Sequence, residues 1–185
     1  MARQRDVGER PPLPAAAFAP LVPGNSLSAA LASFAVWANS TANRRDLMVR
    51  CGFPLEDDLA AFLLLNQLIY RGAARPTDLA DAVEVSTSQI SKVVARLEEA
   101  GLVRRAPDPR DDRGVVVGLT DEGRAVGDRI VAGMHDHFQQ LFRDWSDHDR
   151  EELSRLVVKL AHSIDAVTVR ALSRASGYDW SDTGA

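Results

Sequence analysis

The stretch that decides the fold runs from residue 86 to residue 123 and reads STSQISKVVARLEEAGLVRRAPDPRDDRGVVVGLTDEG. It begins with Ser86 and Gln89, which have the spacing of a capping box, in which two side chains satisfy the first free amides of a helix. Apolar residues then recur at helical spacing, at Ile90, Val93, Val94 and Leu97. Gly101 supplies the residue that commonly follows a helix C-terminus. The pattern predicts a capped amphipathic helix that ends before Gly101.

Two β-branched runs follow, with a charged loop between them. LVRRA (102–106) and VVVGL (115–119) predict the two strands of a β-hairpin around the loop PDPRDDRG (107–114). The loop has three aspartates and two arginines, so a cation site is one hypothesis. A calcium loop needs oxygen ligands at alternating positions over about twelve residues and a closing glutamate. Arg110 and Arg113 would also repel a cation, which disfavours the metal hypothesis.

The residues before Ser86 predict the first half of a helix-turn-helix. Pro76 suits the first turn of a short helix through TDLADAVE (77–84), and a tight turn then leads to Ser86. The second helix of such a unit can enter the major groove of DNA with its N-terminal side chains at base edges. Its outer face is small and polar or basic. The candidate DNA-contacting residues of this recognition helix are Ser86, Thr87, Ser88, Gln89, Ser91, Lys92 and Arg96.

Helices are predicted on both sides of this central unit. Apolar spacing indicates one helix from Ser26 to Val49 and a largely apolar one from Leu55 to Tyr70. The segment TDEG then opens a long helix over 121–145, and Ser146 caps a final helix. We therefore expect a mainly α protein with one small hairpin.

The segment from Pro76 to Gly123 resembles the DNA-binding core of the multiple antibiotic resistance regulator (MarR) family. The residues that carry the resemblance are LEEAGLV (97–103), D-P-x-D-x-R (108–113) and L-T-x-x-G (119–123). The resemblance implies a winged helix-turn-helix, built from a three-helix core and a β-hairpin wing. It also implies long N- and C-terminal dimerisation helices that make an obligate homodimer.

Two residues depart from the family pattern. Glu84 stands before Val85 at a turn position where similar proteins often have glycine, which predicts a strained turn or a different geometry. Arg75 stands where a serine or threonine N-cap is usual, so the short helix is expected to start less firmly. Arg75 and Thr77 are also candidate contacts to the DNA backbone.

In a winged domain the charges of the loop serve separate purposes. Asp108 or Asp111 is expected to pair with Arg113 and brace the hairpin. Arg110, near the tip, is expected to enter the minor groove, whose negative potential attracts arginine. Arg110 and Arg113 are therefore the candidate DNA-contacting residues of the wing.

Composition limits the remaining classes of function. The chain has 185 residues and a net charge of −4, so DNA binding requires one basic face rather than a basic protein. Residues 71–113 have eight basic and eight acidic side chains and are thus less acidic than the rest. A single cysteine, Cys51, excludes an intrachain disulfide and Cys-rich zinc sites, and it fits the cytoplasm. No apolar run reaches the roughly 18 residues that span a bilayer.

The predicted organisation has five parts. They are a disordered N-terminal arm (1–24), an N-terminal dimerisation helix (25–54), the winged helix-turn-helix (55–120), long C-terminal dimerisation helices (121–174) and a flexible tail (175–185). Tyr178 and Trp180 are the tail residues that are expected to dock if any do.

The resemblance also implies a small-molecule pocket between the winged domain and the dimer helices. Its candidate lining residues are Trp37, Phe62, Asn66, Tyr70 and Met134, for each of which plain core packing is the alternative. We expect a cytoplasmic, homodimeric transcription regulator, a repressor released by an effector. Its partner is double-stranded DNA with a pseudo-palindromic operator, and no cofactor, metal or membrane is expected.

Three alternatives remain open at the level of sequence. A winged-helix module that binds protein instead of DNA would fit the acidic composition. A redox-sensing regulator would use Cys51. An enzyme would need an acid, base or nucleophile set that the sequence does not offer, and His135 and His137 point apart on a helix and are poor joint metal ligands.

Overall fold

The computed structural model describes most of the chain, namely residues 21–22, 24–109, 111–168 and 170–180. The predicted arm over 1–24 therefore lies almost wholly outside the described residues, as does Arg110. The side chain of Asp112 is also outside them. The chain divides into two compact units, Met1–Asn43 and Arg44–Ala185. The first unit thus ends earlier than the N-terminal helical region predicted over 25–54.

The described residues form eight helices and one antiparallel hairpin. In chain order the elements are α1 (Leu27–Ala38), α2 (Thr41–Arg50), α3 (Leu59–Arg71), α4 (Pro76–Ala82), α5 (Thr87–Glu99), β1 (Val103–Asp108), β2 (Asp111–Leu119), α6 (Asp121–Leu141), α7 (Asp147–Val167) and α8 (Ala171–Ser176). The mainly helical fold with one hairpin, predicted from the sequence, is confirmed.

The single helix predicted over 26–49 is two helices. Asn39 and Ser40 separate α1 from α2. The Asn39 side-chain amide donates to the Ala35 carbonyl at 2.9 Å, and the Ser40 hydroxyl accepts from the Asn43 amide at 3.2 Å. These short polar side chains satisfy backbone groups that a continuous helix would pair with itself, and the helix breaks there.

The second predicted helix begins at Leu59 instead of Leu55. The Asp58 carboxylate accepts a hydrogen bond from the Ala61 amide at 3.0 Å and so caps α3. A capping residue has a non-helical backbone, which keeps the residues before it out of the helix. Asp57 has a φ of +61°, which also interrupts the helical path.

The core of the second unit is aliphatic, as the low aromatic content requires. Its largest fully buried side chains include Phe62, Leu64, Leu65, Leu68, Leu79, Ile90, Leu97, Leu102 and Ile130. Met48 and Phe53 join this cluster from α2 and the segment after it, and the Phe53 and Phe62 rings meet edge to face at 5.3 Å. Burial of each large side chain contributes about 1.5–3 kcal/mol, so α3 and α5 are held by this core.

The hairpin is longer than predicted, because both strands extend into the charged loop. β1 pairs with β2 from Val103 opposite Leu119 to Asp108 opposite Asp111, with an irregularity between Pro107 and Asp108. The loop predicted over 107–114 is thereby reduced to a short tip. Ala74 adds a single bridge to Val117 of β2, which ties the start of α4 to the hairpin.

The entry to α6 depends on a glycine. Thr120 caps α6, with its hydroxyl accepting from the Gly123 amide at 3.0 Å and donating to the Gly101 carbonyl at 2.6 Å. A Cβ at Gly123 would lie 1.9 Å from the Leu102 carbonyl oxygen. Only glycine permits this approach of α6 to the end of the recognition helix. The helix then ends at Leu141, short of the predicted residue 145.

Ser146 caps α7 as predicted, with its hydroxyl accepting from the Asp149 amide at 3.1 Å. Beyond α7, the predicted flexible tail from residue 175 instead has defined contacts as far as Trp180. The Arg71 guanidinium donates to the Arg174 carbonyl at 2.7 Å and to the Ala175 carbonyl, which holds the end of α8 against α3.

The last described residues are held by side-chain hydrogen bonds. The buried Asp165 carboxylate accepts from the Ser173 amide at 2.7 Å and from its hydroxyl at 2.6 Å. Burial opposes ionisation of Asp165, but the Ser173 hydrogen bonds and the charge of Arg170 outweigh it and lower the pKa. The Trp180 amide donates to the Ser173 hydroxyl at 3.1 Å, and its ring meets His162 at 5.9 Å.

In the part of the chain that the structure describes, every helix is too short or too polar to cross a membrane.

Candidate nucleic-acid interface

The predicted recognition helix, α5, is fixed by its apolar side. Ile90, Val94 and Leu97 are at most 2% exposed and pack into the core. The capping box at its N-terminus is present in full: the Ser86 hydroxyl accepts from the Gln89 amide at 3.2 Å, and the Gln89 side chain accepts from the Ser86 amide at 3.0 Å. The helix is therefore held at its inner face and at its start.

The outer face of α5 is exposed, but its residues differ in availability. The Ser86 hydroxyl donates to Gln89 Oε1 at 3.0 Å, which leaves the Nε2 of the exposed Gln89 outside the capping box, and the Ser91 hydroxyl donates to the Thr87 carbonyl at 2.9 Å. Thr87, Ser88 and Lys92 are exposed at the N-terminal end of the helix. A major-groove contact from this helix would rest mainly on those three side chains.

The turn before α5 matches the strained one of the two outcomes predicted from Glu84 in the place of glycine. Glu84 has a φ of +54°, a left-handed conformation that costs a residue with a side chain more than it costs glycine. The Val85 amide still donates to the Ala80 carbonyl at 3.0 Å, which closes the turn. The helix-turn-helix thus forms with Glu84 in this left-handed conformation.

Arg96 differs from its predicted role as a DNA contact. Its guanidinium donates to both carboxylate oxygens of Asp58, at 2.6 and 3.0 Å. The Arg96 hydrogen bond lowers the pKa of Asp58, and Asp58 raises that of Arg96. Arg96 therefore joins α5 to the start of α3 and is engaged within the chain.

Arg75 forms ion pairs with both wing aspartates, Asp108 and Asp111, one of which was predicted to pair with Arg113. Arg75 Nε donates to Asp108 at 2.6 Å, and its Nη2 donates to Asp111 at 3.1 Å. Arg75 also has no side-chain capping bond at the start of α4, as expected from the missing serine or threonine. The structure thus engages Arg75 with the wing, where the sequence suggested a contact to the DNA backbone.

Arg113 is exposed, and its backbone amide donates to the Asp111 carboxylate at 3.1 Å. Among the described residues, neither Lys92 nor Arg113 has an ion-pair partner, whereas Arg75, Arg96 and Arg105 each have one. The predicted minor-groove residue Arg110 lies outside the described residues. Thr77 is exposed at the start of α4, beside Asp78. The exposed positive charge at this face is therefore smaller than the residue count suggests.

The five residues predicted to line an effector pocket do not share one environment. Phe62 is 2% exposed and belongs to the core, and the Asn66 amide donates to the Phe62 carbonyl at 3.1 Å. The Tyr70 hydroxyl donates to Met134 Sδ at 3.3 Å, which brings those two together. Trp37 lies in the first unit, with its ring 5.8 Å from Phe34. Phe62 is thus part of the core, which was the alternative to a place in the pocket lining.

A cavity of about 250 Å³ lies between α3, the hairpin and α6, and sequence reasoning missed it. Its lining is Leu68, Ile69, Gly72, Ala73, Arg104, Ala106, Val116, Gly118, Leu119 and Arg124. None of the five predicted residues is among them. Arg104 and Arg124 are the two charged residues of this lining. The sequence gives only a weak indication of this cavity, because Arg104 and Arg124 are 20 residues apart and lie on different elements.

The environment of Cys51 disfavours a redox role. The residue is 5% exposed, and its thiol donates to the Met48 carbonyl at 3.4 Å. Burial raises the pKa of the Cys51 thiol, whereas reactive cysteines have a lowered pKa and an accessible sulfur. Among the described residues, no three His, Cys, Asp or Glu side chains come together as a metal site.

Comparisons with known proteins agree with this geometry. The family model described as MarR family matches residues 58–115. The multiple antibiotic resistance protein MarR of Escherichia coli is 33% identical over 109 residues, which are 58% of this chain and 75% of that protein. The transcriptional regulator PecS of Dickeya dadantii is 31% identical over 99 residues, 52% of this chain and 60% of that one.

Solved structures show the same fold. A MarR family protein from Bacillus stearothermophilus matches with a TM-score of 0.62 at 21% identity, covering 75% of this chain and 92% of that one. Wild-type MarR from E. coli in its apo form matches with a TM-score of 0.54 at 24% identity, covering 73% and 96%. The regulators matched by sequence are not enzymes, and neither is this protein. The chain belongs to the MarR family of transcription regulators.

Proposed function

We propose that the protein is a DNA-binding transcription regulator that acts as a homodimer and represses its target until an effector releases it. The observation that carries the proposal is the exposed N-terminal face of α5, with Thr87, Ser88 and Lys92 outward and the apolar side held in the core. A rigid helix with small polar and basic groups at its start suits the major groove. The wing beside it suits the adjoining minor groove.

The DNA site follows from the symmetry of such a dimer. Two recognition helices related by a two-fold axis read a pseudo-palindromic operator, with half-site centres about 10–10.5 base pairs apart. Because the target is DNA, the protein would act in the cytoplasm of a bacterium. Direct readout rests on few side chains, so each of them is expected to matter.

Fluorescence anisotropy with the DNA upstream of the protein's own gene tests DNA binding. The chain has two lysines, Lys92 on α5 and Lys159 on α7, both exposed, and these make a matched pair. Lys92→Ala is expected to weaken binding and to reduce the salt dependence of the affinity, while Lys159→Ala leaves both unchanged. Equal effects of the two variants, or affinity that does not change with salt, would contradict the proposal.

The homodimer is supported by apolar surface on the terminal helices. No residue of α1 is buried, and its Leu27, Phe34 and Val36 are 75%, 59% and 74% exposed. α7 exposes an apolar stripe, Leu156, Val157, Leu160, Ile164 and Val167, each at least 40% exposed. An apolar stripe that is exposed along a helix in this way is typical of an interaction site.

Light scattering after size exclusion tests the dimer. Leu160→Asp places a charge in the α7 stripe and is expected to yield a monomer. Ala166→Asp is the control, because residue 166 lies on the polar side of the same helix, about 240° around from residue 160. A dimer that survives Leu160→Asp would contradict the assignment of this stripe to the interface.

Release by an effector is supported by the cavity between α3, the hairpin and α6. A ligand there would touch the wing and α6 at once, and it shifts the protein only if it binds the two states with different affinity. A relative, MdtR of Bacillus subtilis, is named as a transcriptional repressor. Benzoate, an apolar ring with a carboxylate, is a suitable probe, and neutral benzamide is its control. Benzoate is expected to displace DNA, and Arg124→Leu to abolish that effect; equal action of both probes would contradict an anion site.

A protein-binding winged helix is the second candidate, favoured by the net charge of −4. It differs from the first in one measurable respect. A protein-binding module has no reason to show the loss of affinity with salt that follows from phosphate contacts.

A further inference from the structure

Arg75 lies at the junction between the helix-turn-helix and the wing. Ala74, just before it, exchanges two backbone hydrogen bonds with Val117 of β2, at 3.0 and 2.8 Å. Pro76, just after it, begins α4. The Arg75 backbone is therefore held by the wing on one side and by the first helix of the helix-turn-helix on the other.

The Arg75 side chain joins the two strands of the wing near its tip. Nε donates to Asp108 on β1 at 2.6 Å, and Nη2 donates to Asp111 on β2 at 3.1 Å. Asp108 and Asp111 are the last cross-strand pair before the tip. One guanidinium thus fixes the outer end of the wing through both strands.

Because Asp108 is buried, its carboxylate depends on partners within the protein. Its side chain is fully buried, whereas Arg75 is 37% exposed and Asp111 is 45% exposed. A buried carboxylate requires a cation or several hydrogen bonds, because its charge has left water. Arg75 is one of the groups that compensate the buried Asp108 charge, so its loss would leave that carboxylate with less compensation.

Gly114 supplies the space that the contact needs. A Cβ at Gly114 would lie 2.9 Å from Asp108 Cβ, 3.2 Å from the Asp111 carbonyl oxygen and 3.3 Å from Arg75 Nη2. Glycine at this position of β2 is therefore explained by the packing of Arg75 against the wing.

We propose that Arg75 is a positioning residue for DNA binding, which locks the wing to α4 and so fixes the wing tip relative to the N-terminal face of α5. The inference rests on the proposed function. It assigns Arg75 a role inside the protein, against the competing hypothesis that Arg75 contacts a phosphate. The position preceding α4 is then where wing and helix-turn-helix are coupled.

Asp108→Asn distinguishes a positioning role of Arg75 from a phosphate contact, because the two hypotheses predict opposite changes in DNA affinity. If Arg75 positions the wing, Asp108→Asn and Arg75→Ser both weaken binding to the upstream DNA, by about tenfold if the released wing is correctly placed about a tenth of the time. The double variant is then no worse than either single one. If Arg75 contacts a phosphate, Asp108→Asn frees its guanidinium and tightens binding, which would overturn the proposal.

Hydrogen exchange of the free protein gives a readout that needs no DNA. Amides of residues 111–117 are expected to exchange faster in Arg75→Ser, and to an intermediate extent in Arg75→Lys, because an ammonium cannot reach both carboxylates in the same way. Arg155→Ser, which breaks an exposed pair with Glu152 on α7, is the matched control and should leave the wing unchanged. Unchanged exchange in Arg75→Ser would overturn the proposal.

The two measurements also separate failure of the inference from failure of the proposed function. If the wild-type protein binds no DNA, the proposed function fails, and the exchange experiment still decides whether Arg75 holds the wing. If DNA binds normally and Arg75→Ser changes neither affinity nor exchange, the proposed function stands and the positioning role is wrong.

Discussion

The winged core, α3 to β2, and the terminal helices α1 and α7 differ in how their apolar side chains are satisfied. In the core, α5 buries Ile90, Val94 and Leu97, and its polar start is closed by Ser86 and Gln89. α1 buries no residue, and α7 buries only the charged Asp165. The winged core buries its apolar side chains within one chain, whereas α1 and α7 each leave apolar side chains exposed, as interaction surfaces do.

The largest effect is expected from truncating a core leucine. Leu97 is fully buried, so Leu97→Ala should lower the free energy of unfolding by about 2–5 kcal/mol, through lost burial and the cavity left behind. Urea denaturation at two protein concentrations measures it. Leu160→Ala on α7, where Leu160 is 41% exposed, is the counterpart. The loss of stability in Leu160→Ala should depend on protein concentration, because the variant acts on the proposed dimer. If the two variants lose equal stability at both protein concentrations, the contrast between the winged core and α7 is wrong.

A second prediction tests the close approach at Gly123. Gly123→Ala places a Cβ against the Leu102 backbone, which cannot move aside like a flexible side chain. We expect a loss of roughly 1–3 kcal/mol, the usual cost of overpacking. Gly133→Ala is the control, because its Cβ would meet only side chains, at 3.7 Å and beyond. Thermal unfolding that does not distinguish the two variants would mean that α6 shifts freely relative to Leu102.

The capping box allows a smaller and more local test. Ser86→Ala removes the acceptor of the Gln89 amide and should cost about 1 kcal/mol. Ser88→Ala removes an exposed hydroxyl from the same turn and should change stability by less than about 0.5 kcal/mol. For DNA binding we expect the reverse order: when both variants are fully folded, Ser88→Ala should lower the DNA affinity more than Ser86→Ala. The reason is that the Ser88 hydroxyl is available to DNA and the Ser86 hydroxyl is not. Chemical denaturation checks the expected order in stability, and fluorescence anisotropy on the same samples checks the expected order in DNA affinity.

The smallest effect concerns pH. Hydrogen bonding from Arg96 lowers the pKa of Asp58 below its usual value, so the pair's contribution is complete above about pH 4, the unfolded pKa, and is lost as pH falls through the lower folded pKa. For an exposed pair it is below about 1 kcal/mol. The stability difference between wild type and Arg96→Met should therefore shrink below pH 4. Arg104→Met should show no such trend, and a difference that is constant down to pH 2 would contradict the assignment.

Features set by neighbouring residues were predictable from the sequence. The caps at Ser86 and Ser146 are confirmed, because a capping side chain bonds an amide only three residues away. The departure at Glu84 was also informative, since a residue in a glycine position predicts an unusual φ. The break between α1 and α2 was missed, although the apolar spacing stops at Ala38, just before Asn39 and Ser40.

Features set by distant residues were not predictable. Arg75 and Asp108 are 33 residues apart and Arg96 and Asp58 are 38 apart, so no spacing rule indicates either pair. The sequence therefore could not indicate that Arg75 and Arg96 form ion pairs within the chain. The same limit explains the C-terminal segment, where Asp165 and Ser173 meet across the turn between α7 and α8.

The docking of Trp180 has a spectroscopic consequence. The three tryptophans are Trp37 on α1, Trp145 between α6 and α7, and Trp180 beside His162, so none lies in the winged core. Tryptophan fluorescence of this protein reports on the terminal helices and the C-terminal segment, while the recognition helix and wing are silent. Release of the C-terminal segment can thus be followed without a label, and events in the winged core become visible only where they reach one of these three rings.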